Sequence, residues 1–460
     1  MAKKRKTIII TLGVLLLLGG AYAATTTHIR NTNRAFFDNL APSPTLGDLN
    51  SSDIVRIEVS GMVLQKQHDK WELTSYNGEA PPEGIELDQT MIRSMTLVLA
   101  TVWAERIADE KPEDLSVFGL DMPSRTIVTD SHGNTVVYLV GSITPFRTSY
   151  FVMAEGNPNV FVVNAFSVER VRFSLDDIRN RALFPPLPLH DLTRMRLELA
   201  ETHIDIRPLP EQRPLHLIST FSHFLMTSPY QVPQGVDSTA LQRLLAPLFN
   251  RRIEAFVNDA PLSLTPYGLD NPARLLLEFG DTSLDLLIGN RSGMARYAKL
   301  AGAPGVFTVE GLEQLINIRP FILTDRLPLF IGIDEISRFS ISGGERTLHA
   351  EIHGTGRDAV FFLNGRRAEE MSFRNWFQNV ILLSADAEMP AGSVISPYSP
   401  ETISIEHHLK NGERVSISLV PYNRDFYALN QEGVMEFLIA RNQVRRIVQA
   451  ADTVVFLQKP

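Results

Sequence analysis

The chain has 460 residues, 44% hydrophobic and 21% charged, the balance of a folded globular protein with room for roughly three domains of ~150 residues. Its formal charge is −8, and without Lys3, Lys4, Arg5 and Lys6 the remainder carries −12, which argues against nucleic acid as a partner and against electrostatic adhesion to anionic lipid. Cysteine is absent, which excludes disulfides, thiolate metal sites, a cysteine nucleophile and a lipid-bearing cysteine.

The four basic residues precede an uncharged run from Thr7 to Thr27, about as long as the ~20 residues that a bilayer-spanning helix needs. Basic residues before the run and few after it predict a cytoplasmic N-terminus and an exported body. Ala21-Tyr22-Ala23 also fits a small-x-small cleavage site after Ala23, so a cleaved signal peptide stands beside the retained anchor. Residues 28–52 are polar, carry Pro42 and Pro44, and read as a stalk.

Residues 53–188 open with alternating strand patterns: Ile54 to Val59, Met62 to Leu64, and Trp71 to Leu73. Asp88 is placed to N-cap a helix carrying Ile92, Met95, Val98 and Val102 on one face. Next comes Phe118-Gly119-Leu120-Asp121-Met122-Pro123, a compact turn prescription. Gly allows φ > 0, Asp can bond backbone amides two residues on, and Pro fixes φ. A hairpin pairs 126–129 with 136–140, ending at Gly141, and a second pairs 150–153 with 160–163. A helical tail reads from Val168 to Arg181.

Residues 189–330 repeat this order, which makes duplication the organising feature of the chain. Leu192 to Leu199 alternates as a strand. Asp237 caps a helix with Leu241, Leu244, Leu245 and Leu248 on one stripe. The turn recurs as Tyr267-Gly268-Leu269-Asp270-Asn271-Pro272, followed by a hairpin ending at Gly289 and a second hairpin across Gly302-Ala303-Pro304. Residues 331–460 read as a diverged third unit. Ile336 to Ile341 opens it, Ser372 is placed to cap a helix with Phe373, Trp376, Phe377 and Val380, and the turn has shrunk to Tyr398-Ser399-Pro400. Asn411-Gly412 marks a two-residue hairpin turn, and residues 442–451 form the closing helix. The expected fold class is α+β: an N-terminal transmembrane helix, then three tandem units of antiparallel hairpins, each with a packed amphipathic helix.

Catalytic frames are missing. The sequence has no Gly-x-Ser-x-Gly elbow, no Walker A loop and no dinucleotide fingerprint, so no catalytic residue and no cofactor are expected. Asp121 and Asp270 read as turn-holding carboxylates. His349-Ala350-Glu351-Ile352-His353 is the most metal-like stretch, because on a strand His349, Glu351 and His353 share a face. The preferred reading of that face is solvated polar surface opposite Leu348, Ala350 and Ile352. His407 and His408 point to opposite faces of a strand and cannot chelate together.

A Trp-x-Leu strand, a capped helix, Tyr/Phe-Gly-Leu-Asp-x-Pro, a hairpin ending in Gly and a Tyr-containing hairpin, all behind one N-terminal anchor, resemble the bacterial domain-of-unknown-function family four-three-four-zero. Trp71 to Arg181 carry the resemblance best, Tyr230 to Arg326 carry it again, and the last unit only loosely. The resemblance implies an envelope protein held in the bacterial inner membrane by one helix, with its body in the periplasm or outside the cell. It further implies an accessory role beside an ABC transporter permease and ATPase and a gliding-motility-like auxiliary subunit. It transfers no catalytic residues.

Three readings of function follow in order. The first is a non-enzymatic, membrane-anchored accessory subunit that binds a protein partner or cargo. The second is a module for an envelope glycan or lipid, with a pocket expected near Trp376 and Phe377. The third is a metal-dependent hydrolase built on His349, Glu351 and His353.

Overall fold

The computed structural model describes residues 43–211, 222–343, 346–396 and 399–458. The expected membrane span and most of the expected stalk lie outside the described residues, as does Tyr398. Among the described residues no helix is long and apolar enough to cross a membrane. The fold is mostly antiparallel β-sheet with several helices, divided once by compactness, after Asn180.

The first unit is built on an eight-stranded sheet. Its spatial order is Lys70–Tyr76, Met62–Gln67, Ile54–Val59, Ser124–Asp130, Thr135–Ile143, Ser149–Ala154, Val160–Asn164 and Arg106–Asp109. The opening meander forms because hydrophobic residues alternate along Ile54–Val59, so one face turns inward. The helix Gln89–Ala100 starts where the Asp88 carboxylate accepts the amides of Thr90 and Met91, both at 3.0 Å. It presses Ile92, Met95 and Leu99 into the core with Trp71 and Tyr138. Val102 is not part of its stripe. The helix ends at Ala100, and Val102–Trp103 forms a short strand against Thr45–Leu46. Part of the expected stalk is therefore folded into the unit. The buried Tyr138 hydroxyl fastens it, donating to Leu46 O at 3.2 Å and Leu99 O at 2.8 Å. Burial pushes the Tyr138 phenol well above its usual range. The helical tail is two short helices, Ala165–Val171 and Leu175–Ile178, rather than one.

Residues 181–460 contain two nine-stranded sheets. The first runs Gln234–Gly235, Phe224–Ser228, His203–Pro208, Arg194–Glu198, Ala273–Phe279, Thr282–Ser292, Ala295–Leu300, Val306–Glu310 and Ala255–Asn258. The second runs Arg366–Ala368, Val360–Leu363, Leu348–His353, Ile336–Ser342, Ile403–Leu409, Arg414–Pro421, Phe426–Gln431, Val434–Ala440 and Ala387–Glu388. In all three sheets the opening meander pairs with the strand that follows the helix, and the short strand after the helix closes the far edge.

The helix Ser238–Leu245 is capped by Asp237 and buries Leu241, Leu244 and Leu245, while Leu248 is buried in the following 3-10 turn. The helix Glu370–Ile381 is capped by Glu369, whose carboxylate accepts Met371 N at 3.0 Å and Ser372 N at 2.7 Å. Ser372, expected to be the cap, lies in the first turn, and its hydroxyl instead accepts Val455 N at 2.7 Å. The hairpin at Asn411-Gly412 is longer than two residues. Leu409 N–H donates to Glu413 O, leaving 410–412 in the loop with Gly412 at φ 92°.

The two sheets of this unit share one core. Across their seam the Tyr230 and Phe437 rings lie 4.9 Å apart, and the Tyr230 hydroxyl donates to Glu388 at 2.7 Å. Burial, reinforced by Glu388, pushes the Tyr230 phenol up. Arg319 reaches Glu388 at 3.2 Å, and Gln231 N donates to Glu436 at 2.9 Å.

Candidate functional site

The Gly-Leu-Asp segments form the same device twice. Leu115–Phe118 is a single 3-10 turn capped by Gly119 at φ 63°, and Thr265–Tyr267 is another capped by Gly268 at φ 66°. Both conformations are left-handed, which explains the glycine. Leu120 and Leu269 then plunge into the protein and are buried. Each meets a second glycine on the neighbouring strand: a Cβ on Gly141 would lie 2.3 Å from Phe118 O, and one on Gly289 would lie 2.2 Å from Tyr267 O. The aromatic residue packs edge-on against the next hairpin, Phe118 on Phe151 at 5.0 Å and Tyr267 on Tyr297 at 5.2 Å.

Asp121 and Asp270 do not hold these turns. Both are exposed, and among the described residues neither carboxylate accepts a hydrogen bond. In the first turn Asp114 does that work, accepting Ser116 N at 2.9 Å, and hydrogen bonding from the Ser116 side chain, with this amide second, holds its carboxyl below the usual range. Pro123 and Pro272 lead directly into the following strands.

The second turn forms one wall of an open cleft of about 730 Å³. Asn271, Asn290, Asn317, Thr202 and Glu198 line it together with Arg296. Arg296 is fixed by a two-pronged bond to Glu313 at 3.0 and 3.1 Å and by donating to Gly289 O at 2.9 Å. The Arg296 hydrogen bond holds the Glu313 carboxyl below its usual range. The cleft therefore offers neutral amides, a hydroxyl, the Glu198 and Glu201 carboxylates and one immobilised guanidinium, a set rich in hydrogen-bonding groups.

Beside it, the outer face of Arg194–Glu198 and His203–Pro208 carries a charge ladder. Asp205 lies at 2.7 Å from Arg194 and 3.1 Å from Arg207. Burial alone would raise the Asp205 carboxyl, but the Arg194 and Arg207 hydrogen bonds outweigh it and hold the group low. Arg274 grips Asp285 at 2.6 and 2.9 Å.

The remaining candidates fall out as follows. His349, Glu351 and His353 share the exposed face of Leu348–His353, as their spacing required, and His353 Nε2 lies 3.1 Å from Glu351. Among the described residues no group of three such side chains is placed to hold a metal ion. Trp376 and Phe377 are wholly packed in the core, Trp376 donating to Ile447 O at 3.0 Å, which counts against a glycan or lipid pocket lined by these two rings. Ser228 and His203 approach to 2.7 Å, and Ser238 and His223 to 3.3 Å, but among the described residues neither imidazole has an orienting carboxylate.

One residue of the His407-His408 pair stands out. His407 points inward from Ile403–Leu409, is fully buried, and lies 5.2 Å from the Phe339 ring in a stacked arrangement. Neither ring nitrogen has a hydrogen-bond partner. Burial, helped by the charge of neighbouring His408, pushes its pKa down to about 4. The inward positions of Ile403, Ile405 and Leu409 were the available signal for its burial.

Architecture and topology together define a mostly antiparallel β-sheet protein with several helices. Residues 71–272 and 225–370 match the model of the family described as "Domain of unknown function (DUF4340)", and the chain belongs to that family. No curated protein and no solved structure matches the chain.

Proposed function

We propose that this protein is a non-enzymatic, membrane-anchored extracytoplasmic accessory subunit of an ABC-transporter-type envelope complex, acting by binding a protein partner or cargo. The observation that carries the proposal is the similar strand order of the three sheets, eight strands in the first and nine in the others, behind a basic tip and an apolar run at 1–27. We read the three sheets as tandem copies of one duplicated unit. Such copies present repeated surfaces on a common scaffold, an economical way to hold an extended partner. The proposed partners are the permease, the ATPase and a gliding-motility-like auxiliary subunit, and the proposed location is the inner membrane with the body outside the cytoplasm. Hydrogen-bonding groups in the Asn271, Asn290 and Asn317 cleft support a peptide segment as the bound element, since amides pair equally well with backbone donors and acceptors. The same cleft is where a polar glycan would sit under the second reading.

The test is a pull-down of the tagged full chain from membranes in mild detergent, with co-purifying chains identified by mass spectrometry. Recovery of a permease and its ATPase, lost when 1–27 is replaced by a cleavable signal, is the expected result. Recovery of the chain alone refutes the proposal.

A further inference from the structure

One end of the first sheet is apolar where a water-facing end would be polar. Trp103, Phe146 and Phe166 are 62%, 90% and 65% exposed, and Val117 and Met122 are exposed beside them. Scattered exposed apolar residues are ordinary, so the argument rests on these being neighbours. The loop 144–148, which carries Phe146, is closed by Thr144 N donating to Ser149 O at 2.8 Å. Thr148 O accepts Ala165 N at 2.9 Å, next to Phe166. The Ser149 hydroxyl reaches Glu105 at 3.1 Å, two residues beyond Trp103. Ser142 donates to Phe118 O at 3.0 Å, which brings the Val117 and Met122 turn to the same end.

The chain also enters the unit at this end. Thr45 pairs with Trp103, and Ala104 N donates to Pro44 O at 2.8 Å. The described residues therefore begin, at Ser43, beside the most exposed tryptophan. The apolar run expected to span the bilayer ends at Thr27, and residues 28–42 can reach at most about 50 Å.

We infer that this sheet end is a bilayer-docking face: Trp103, Phe146 and Phe166 seat in the lipid interface next to the point where the anchor leaves the membrane. The inference rests on the anchoring reading proposed above and adds an orientation to it. Tryptophan at the headgroup level is the usual chemistry of such a face. The Arg170 guanidinium lies 3.6 Å over the Phe166 ring, a cation–π contact that puts a positive charge at the patch, where lipid headgroups would meet it. Arg106, Arg147 and Arg170 are set against Glu105, Glu169, Asp114 and Asp121, so the charge carried by these segments is close to balanced. Docking is apolar rather than electrostatic, consistent with the acidic body. The tether makes the contact intramolecular, so a shallow contact suffices.

Trp103 is its own reporter, because Trp71 and Trp376 are buried. The full chain is reconstituted in phosphatidylcholine nanodiscs with either plain or brominated acyl chains. The expected result is loss of tryptophan emission in brominated discs, with little dependence on salt. That loss should vanish in Trp103→Phe and shrink in the double variant Phe146→Ser/Phe166→Ser. Retention in the discs without bromine quenching overturns the docking. If Trp103 is then open to aqueous acrylamide the end faces water, and if it is shielded the end is covered by protein. Failure of the chain to stay with the discs overturns the anchoring reading itself, and the docking with it.

Discussion

Acidification should loosen the third sheet through His407, and the size of the effect follows from its surroundings. The imidazole is fully buried between strands, stacked on Phe339, with both nitrogens unpartnered, so the folded state tolerates only the neutral ring. Its pKa falls from the ordinary 6.5 to about 4, chiefly through burial. Because the folded value lies below the unfolded one, this contribution to stability is fully present above pH 6.5 and is lost progressively as pH falls toward about 4. At 1.36 kcal/mol per unit, the loss by that point is about 3 kcal/mol. The unpaired nitrogens also carry a cost at neutral pH, on the order of 1–3 kcal/mol. His407→Leu should therefore be neutral to stabilising by about 1 kcal/mol at pH 7 and should flatten the decline in acid. Denaturant unfolding can be followed through Trp376, which packs against the other side of this cluster, in a chain whose Trp71 and Trp103 are Phe. Parallel acid loss in both proteins, or an imidazole that titrates near its ordinary value by NMR, refutes the reasoning.

Gly141→Ala and Gly289→Ala should each cost about 1–3 kcal/mol, at the upper end because the blocking atom is a backbone carbonyl, as read by thermal unfolding. Leu120→Ala and Leu269→Ala should cost about 2–5 kcal/mol, whereas Asp121→Ala and Asp270→Ala should stay within about 0.5 kcal/mol in the same assay. Tyr230→Phe leaves Glu388 without its hydroxyl donor and should destabilise the two-sheet unit by about 2 kcal/mol, measured by urea titration. Metal analysis of the purified chain should find no stoichiometric transition metal, and the double substitution His349→Ala/His353→Ala should leave the thermal midpoint unchanged with or without added zinc.

Local chemistry was legible in the sequence and non-local contact was not. Asp88 and Asp237 were readable as caps because the carboxylate and the amides it accepts lie within three residues. The third cap was misassigned for a related reason. Ser372 and Glu369 both precede the apolar stripe, and only Val455, brought up from the far end of the chain, shows that the Ser372 hydroxyl is already committed while the Glu369 carboxylate caps. In the Gly-Leu-Asp turn the positive φ of the glycine is legible from the residue type, whereas the close approach of Gly141 and Gly289 is not, because each stands on a different strand. Thr45–Leu46 is too short to show periodicity, so it passed for stalk. The cleft near Asn290 and the apolar sheet end are each assembled from several loops, and no single stretch of sequence carries either.

The strand Thr45–Leu46 also sets how the first unit would respond to a pull. Any tension in the chain upstream of Ser43 enters the fold through two paired residues, the Pro44–Ala104 and Leu49–Ala100 backbone bonds, and the Tyr138 hydroxyl on Leu46. The eight-stranded sheet behind that clasp is joined by far longer ladders. Under load the clasp would part first and lengthen the tether by a few residues, leaving the sheet intact. Because Leu46 is itself part of the buried core cluster, parting the clasp would uncover that edge of the core while the ladders of the sheet hold.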